Sequence, residues 1–108
     1  MNTASPITIS AAEVESACSL EEVVESQRKA FAGLISGTSV MGPRAVITNG
    51  ENAQFSYIAR AAITAPTIVK FGTVVPSNAG RDIPVVQTTV SVIDATTGSV
   101  KLFLDGEA

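Results

Sequence analysis

The sequence predicts an α+β fold in which N-terminal helices pack on a mostly antiparallel β-sheet. Three observations predict it. Apolar residues recur at helical spacing from Leu20 to Ile35. From Thr38 onward the period changes to the alternation of strands. The strands then follow one another through turn signals, with no strand–helix–strand alternation and no G-x-G-x-x-G, so a dinucleotide fold is not encoded in these residues.

Ile7-Thr8-Ile9 opens the chain as a short strand. Ser10 is placed to cap a short helix through about Cys18, with Glu13 near its positive end. Ser19 and Glu22 have capping-box spacing. Leu20, Val23, Val24, Phe31, Leu34 and Ile35 share one stripe of the helix that follows, and the strand alternation suggests that this helix covers one face of the sheet. Glu25 and Lys29 stand at the spacing of a helical ion pair, and Gly37 is a natural stop. Ala45 to Thr48 is a short strand, Asn49-Gly50 a turn signal, and Gln54 to Arg60 a strand with Phe55, Tyr57 and Ala59 on one face. Thr67 to Val75 is a β-rich run, followed by a loop from Pro76 to Pro84. Val86, Thr88, Val90 and Val92 alternate with Gln87, Thr89 and Ser91 as a half-buried strand. Asp94 to Gly98 is a hairpin loop, and Val100, Leu102 and Leu104 mark the return strand.

Composition excludes several function classes. The 108 residues fit one small domain or half of a two-domain protein, and 45% hydrophobic with 16% charged residues argues for a folded chain. The net charge is −3 and the seven Lys and Arg residues are scattered, so no nucleic acid partner is expected. With no histidine, Ser-His-Asp and Cys-His schemes and most zinc sites are excluded, and no metal site is expected. Cys18 is the single cysteine, which points to an intracellular setting, and its expected role is a buried small hydrophobe. Residues 1–6 carry no positive charge and precede no sustained apolar run, so no signal peptide is expected. Ile63 to Val75 is broken by Pro66, Lys70 and Gly72, so no membrane span is expected.

Two cations are candidates for chemistry. Lys70 sits mid-strand in an apolar run and shares a face with Ile68, Gly72 and Val74. A lysine there either faces solvent or protects an edge, or it points its ammonium into a pocket. Gly72, two residues on, leaves room on that face for a ligand or another backbone. Arg44 follows Gly42-Pro43 at a loop-to-strand junction. It is either an ordinary surface arginine or a bidentate grip for a carboxylate. Arg81 and Asp82 read as a solvated turn pair.

The ordered set from Lys70 to Gln87, through Pro76-Ser77-Asn78 and Gly80-Arg81-Asp82-Ile83-Pro84, resembles the hallmark region of the ornithine cyclodeaminase/mu-crystallin family. Asp94-Ala95-Thr96-Thr97-Gly98, Leu104-Asp105-Gly106 and Pro43-Arg44 extend the resemblance. Val85 stands where the family often has threonine, and Asp82 where glycine is usual. The resemblance implies that residues 1–108 are an incomplete N-terminal substrate-binding and dimerisation domain, whose Rossmann NAD(P)-binding domain would follow Ala108. It implies an enzyme of amino acid metabolism, a lyase or oxidoreductase such as an ornithine cyclodeaminase or imine reductase. NAD or NADP would be the cofactor of the full-length protein, with none bound by this segment alone, so the segment alone would be inactive. The implied roles are carboxylate binding for Arg44 and Lys70 and proton transfer for Lys70. A small amino or imino acid substrate, a homodimer and a cytoplasmic location follow from the same resemblance. The alternative is a non-enzymatic module that dimerises or binds a small carboxylate.

Overall fold

Ser10 and Ser19 each close a capping box, with Glu13 and Glu22 returning the bond to the cap backbone. They start α1 (Ala11–Ala17) and α2 (Leu20–Ser36), which follow a first strand, β1 (Ile7–Ile9). The computed structural model describes residues 6–106. The N-terminal leader reading, apart from Pro6, and the chain end at Ala108 lie outside the described residues. The remaining elements are β2 (Val40–Met41), β3 (Ala45–Asn49), β4 (Asn52–Arg60), β5 (Thr67–Val74), a short 3-10 turn over Pro76–Asn78, β6 (Val86–Ile93) and β7 (Val100–Asp105). The sequence reading placed each strand from β3 to β7 within about two residues and left the two-residue β2 and the 3-10 turn unassigned.

The seven strands form one sheet in the order β1-β7-β6-β5-β4-β2, with β3 also paired to β4. Every pairing is antiparallel except that of β1 with β7. The fold is therefore α+β, with two helices and a mostly antiparallel sheet.

The helix reading needs a correction. The apolar stripe of α2 does not cover the sheet: Phe31 is 64% exposed and Ile35 91%. The opposite side of the helix borders an open cleft. Glu21, Glu22, Glu25, Ser26, Lys29 and Ala30 line it with Ala61 and Ala62, beyond the end of β4. The helix is tied there at its C-terminal end. Gly37 stops it with φ 87°, the buried Gly33 backs on Ser39, and the Ser39 hydroxyl donates to the Ala61 carbonyl at 2.8 Å. α1 lies beside β7. Glu25 takes Arg28 as its partner at 3.0 Å, where the four-residue spacing pointed to Lys29. Both side chains are mostly exposed, so the pair adds little stability.

Among the described residues no hydrophobic side chain is fully buried. The chain exposes 7835 Å², against about 5,700 Å² for a compact folded monomer of its mass. The alternation of β6 is also inverted in its consequence. Ser91, on the side read as the more polar, is buried between its cross-strand neighbours Val69 and Phe103, while Val86 is exposed.

The β6–β7 loop is built as expected. Asp94 Oδ1 accepts the Thr96 and Thr97 backbone N–H groups at 2.8 Å each, and Lys101 Nζ lies 3.6 Å from Oδ2. The Thr97 and then the Thr96 N–H bonds hold this carboxyl below the usual carboxylate range. A depressed folded pKa stabilises above the unfolded pKa, and that stability is lost as pH falls through the folded value. Denaturant midpoints should therefore separate the native chain from Asp94→Ala by a constant gap between about pH 5 and pH 7, closing below about pH 4. A gap that persists unchanged to lower pH would contradict this.

Candidate functional site

The sheet register decides which side chains share a face. Tyr57 on β4 pairs with Lys70 on β5, Lys70 with Val90 on β6, and Val90 with Leu104 on β7. Opposed residues in a ladder project to the same side. Lys70 therefore stands in a row of otherwise uncharged side chains. It is half-buried, on a strand flanked by β4 and β6, so it is not an edge lysine.

Arg44 joins this row from the loop ahead of β3. Ala45 pairs with Ser56, which sets Arg44 level with Tyr57, and the Gly42 N–H donates to the Ile58 carbonyl at 2.8 Å to hold the loop against β4. The Arg44 guanidinium carbon lies 5.3 Å from the centre of the Tyr57 ring, within reach of a cation–π attraction. Arg44 itself is exposed. The structure thus brings both predicted cations to one side of the sheet, one on each side of Tyr57. Their backbones are separated by β4, about 10 Å for two strand spacings, a gap that two long side chains can close onto one small ligand.

Gly72 narrows the sequence reading. Of the two occupants expected on its face, another backbone rather than a ligand takes the space: a Cβ there would stand 2.5 Å from the Gln87 carbonyl oxygen, 2.7 Å from Thr88 Cγ2 and 3.1 Å from the end of the Phe55 ring. Cys18 is exposed at the end of α1, not buried, because it occupies the extended residue between the two helices.

The loop between β5 and β6 holds a residue that the sequence reading placed only within a turn. Asn78 is buried, its Nδ2 donates to the Pro84 carbonyl at 3.1 Å, and its Oδ1 accepts from Arg81 Nη1 at 3.2 Å. Arg81 and Asp82 are both exposed in this turn, and Arg81 bonds to Asn78. The signal was the Pro-x-Asn turn itself, because an asparagine after proline in a loop can replace missing backbone bonds.

The opposite side of the sheet carries a cleft of about 540 Å³, lined among others by Phe71, Thr73, Gln87, Thr89, Phe103 and Asp105. Asp105 is its one charged lining residue. A carboxylate needs positive charge, so the Arg44–Tyr57–Lys70 row is the candidate site and this cleft is not. Among the described residues no group of three His, Cys, Asp or Glu side chains could hold a metal, and no helix is long and apolar enough to cross a membrane. A nicotinamide dinucleotide does not fit these residues either. The only parallel pairing among them is the three-residue β1 with β7, and no glycine-rich strand-to-helix turn is present to cradle a pyrophosphate.

No family model and no curated protein matches the sequence. Solved structures do match the fold. The Thermococcus litoralis Δ1-pyrroline-2-carboxylate reductase, in complex with NADH and L-proline, is 22% identical with a TM-score of 0.85, covering 93% of this chain and 32% of that one. An archaeal alanine dehydrogenase dimer with bound NAD is 20% identical, also with a TM-score of 0.85, covering 93% of this chain and 31% of that one. A lysine cyclodeaminase, solved for its recognition of L-lysine, L-ornithine and L-2,4-diaminobutyric acid, is 21% identical with a TM-score of 0.65, covering 94% and 33%. The chain spans about a third of the length of these structures. The likeness establishes the fold.

Removing the buried Asn78 side chain leaves the Pro84 carbonyl without its donor and Arg81 without its acceptor. Asn78→Ala should cost about 1–3 kcal/mol in denaturant melts, with Arg81→Ala costing less because its side chain reaches the surface. Equal, negligible losses would show that the loop does not depend on this amide.

Proposed function

We propose that this chain supplies the substrate-side part of an NAD(P)-dependent enzyme of the ornithine cyclodeaminase/mu-crystallin family, acting on an amino or imino acid. The observation that carries the reading is the row Arg44–Tyr57–Lys70 on one side of the sheet. Arg44 offers a planar fork of N–H donors to a carboxylate, and Lys70 offers a second, half-buried cation. Together they fix the α-carbon of a small amino or imino acid above the sheet. The Lys70 ammonium also donates or takes back a proton at the substrate, a role suited to a lysine flanked by uncharged side chains.

The similar structures support this reading. Two hold NADH or NAD, and their names describe action on or binding of small amino or imino acids. The cofactor, NAD or NADP, is bound outside residues 6–106, since these residues offer no cradle for it. In this reading the working protein is a cytoplasmic homodimer, and residues 1–108 are its substrate-binding and dimerisation domain. The family's chemistry is either deamination with ring closure or reduction of an imine.

Titration of the chain with L-proline, L-alanine and L-ornithine, followed by NMR, tests the clamp. At least one should bind, and the Arg44→Ala, Lys70→Ala double variant should lose about tenfold or more in affinity. A double variant that binds as well as the native chain would sink the clamp. The division of labour is tested separately. The 108-residue polypeptide with NAD and an amino acid should form neither NADH nor ammonia, and detectable turnover would overturn it.

A further inference from the structure

We propose that Tyr57 is the positioning residue of the anion site, holding the Arg44 guanidinium over its ring at the height of Lys70. The inference rests on the reading of Arg44 and Lys70 as a carboxylate clamp, and it adds the residue that makes the two cations converge.

Arg44 is exposed and lies outside any strand, so its own backbone does little to aim it. Among the described residues it has no carboxylate partner, and its guanidinium carbon lies 5.3 Å from the centre of the Tyr57 ring. That arrangement suits an anion site. A carboxylate partner would neutralise the guanidinium and occupy the N–H fork that a ligand needs. An aromatic face attracts the cation and leaves both its charge and its fork available.

Tyr57 is suited to the task by its place in the sheet. It lies in the middle of β4, which pairs with β3 on one side and with β5 on the other. It is half-buried, and its cross-strand partner is Lys70. The same ring therefore lies against the loop cation and neighbours the strand cation. A guanidinium already restrained on the ring loses less freedom when a ligand binds, so removing the ring weakens binding without touching either cation.

The role belongs to the ring and not to the hydroxyl, which makes Tyr57→Phe the conservative variant and Tyr57→Leu the disruptive one. The probe is L-proline, titrated against the full chain. Tyr57→Leu should bind it about two- to tenfold more weakly, while Tyr57→Phe should stay within about twofold of the native protein. In NMR spectra without ligand, the Arg44 side-chain protons should be shifted upfield by the ring in the native and Phe chains, and should return to ordinary positions in the Leu chain. Native-like binding by a folded Tyr57→Leu chain would overturn the proposal and leave the clamp standing. So would a Phe variant as weak as the Leu variant. Should Tyr57→Leu fail to fold, the ring shift in the native chain decides, and its absence overturns the proposal. A native chain with no affinity for L-proline, L-alanine or L-ornithine would instead overturn the clamp, and this inference with it.

Discussion

The pairing of β4 with β5 is the constraint on which the rest depends. Eight consecutive residue pairs run from Ala53–Val74 to Arg60–Thr67 without a bulge. The side-chain period of a strand is two, so a slip by one residue would move Lys70 to the other side of the sheet, away from Tyr57 and Arg44. The register is held near the Ala53–Val74 end. Gly72 fits between Phe55 and Thr88 with no room for a side chain, and Asn78 ties off the loop that follows β5. The candidate site is thus a consequence of strand register, with one cation placed by the ladder and the other brought to it by an aromatic ring.

A second constraint is surface. The sheet has two sides and α2 leaves its apolar stripe exposed, so the described residues bury no hydrophobic side chain fully. The excess over a compact monomer of this mass is roughly 2,000 Å². That is the scale on which permanent interfaces operate. The same excess explains why half-burial is the rule along β4, β5 and β6 in place of a clean inside and outside.

Much of the fold was legible in the sequence, and the reasons are local. Ser10, Ser19 and Gly37 mark helix ends through their own backbone bonds, and Asp94 builds its loop from neighbours two and three residues away. Arg44 and Lys70 were legible as unusual cations, one after a Gly-Pro turn and one in an apolar run. What was not legible was tertiary. The direction in which the α2 stripe points depends on where the helix is tied, at Ser39 and Ala61, residues far apart in sequence. The burial of Ser91 depends on Val69 and Phe103 beside it. The contact between Arg44 and Tyr57 depends on β3 and β4 pairing in one register, which periodicity alone does not define.

The account makes this chain the substrate-side part of a longer enzyme, with a dinucleotide site elsewhere in the polypeptide. The most direct measurement is the intact mass of the native gene product isolated from its host. The account predicts a polypeptide about three times as long, in line with the share of the similar structures that this chain covers. A native product of 11.1 kDa, the mass of these 108 residues, would contradict it and make a free-standing carboxylate-binding module the better description.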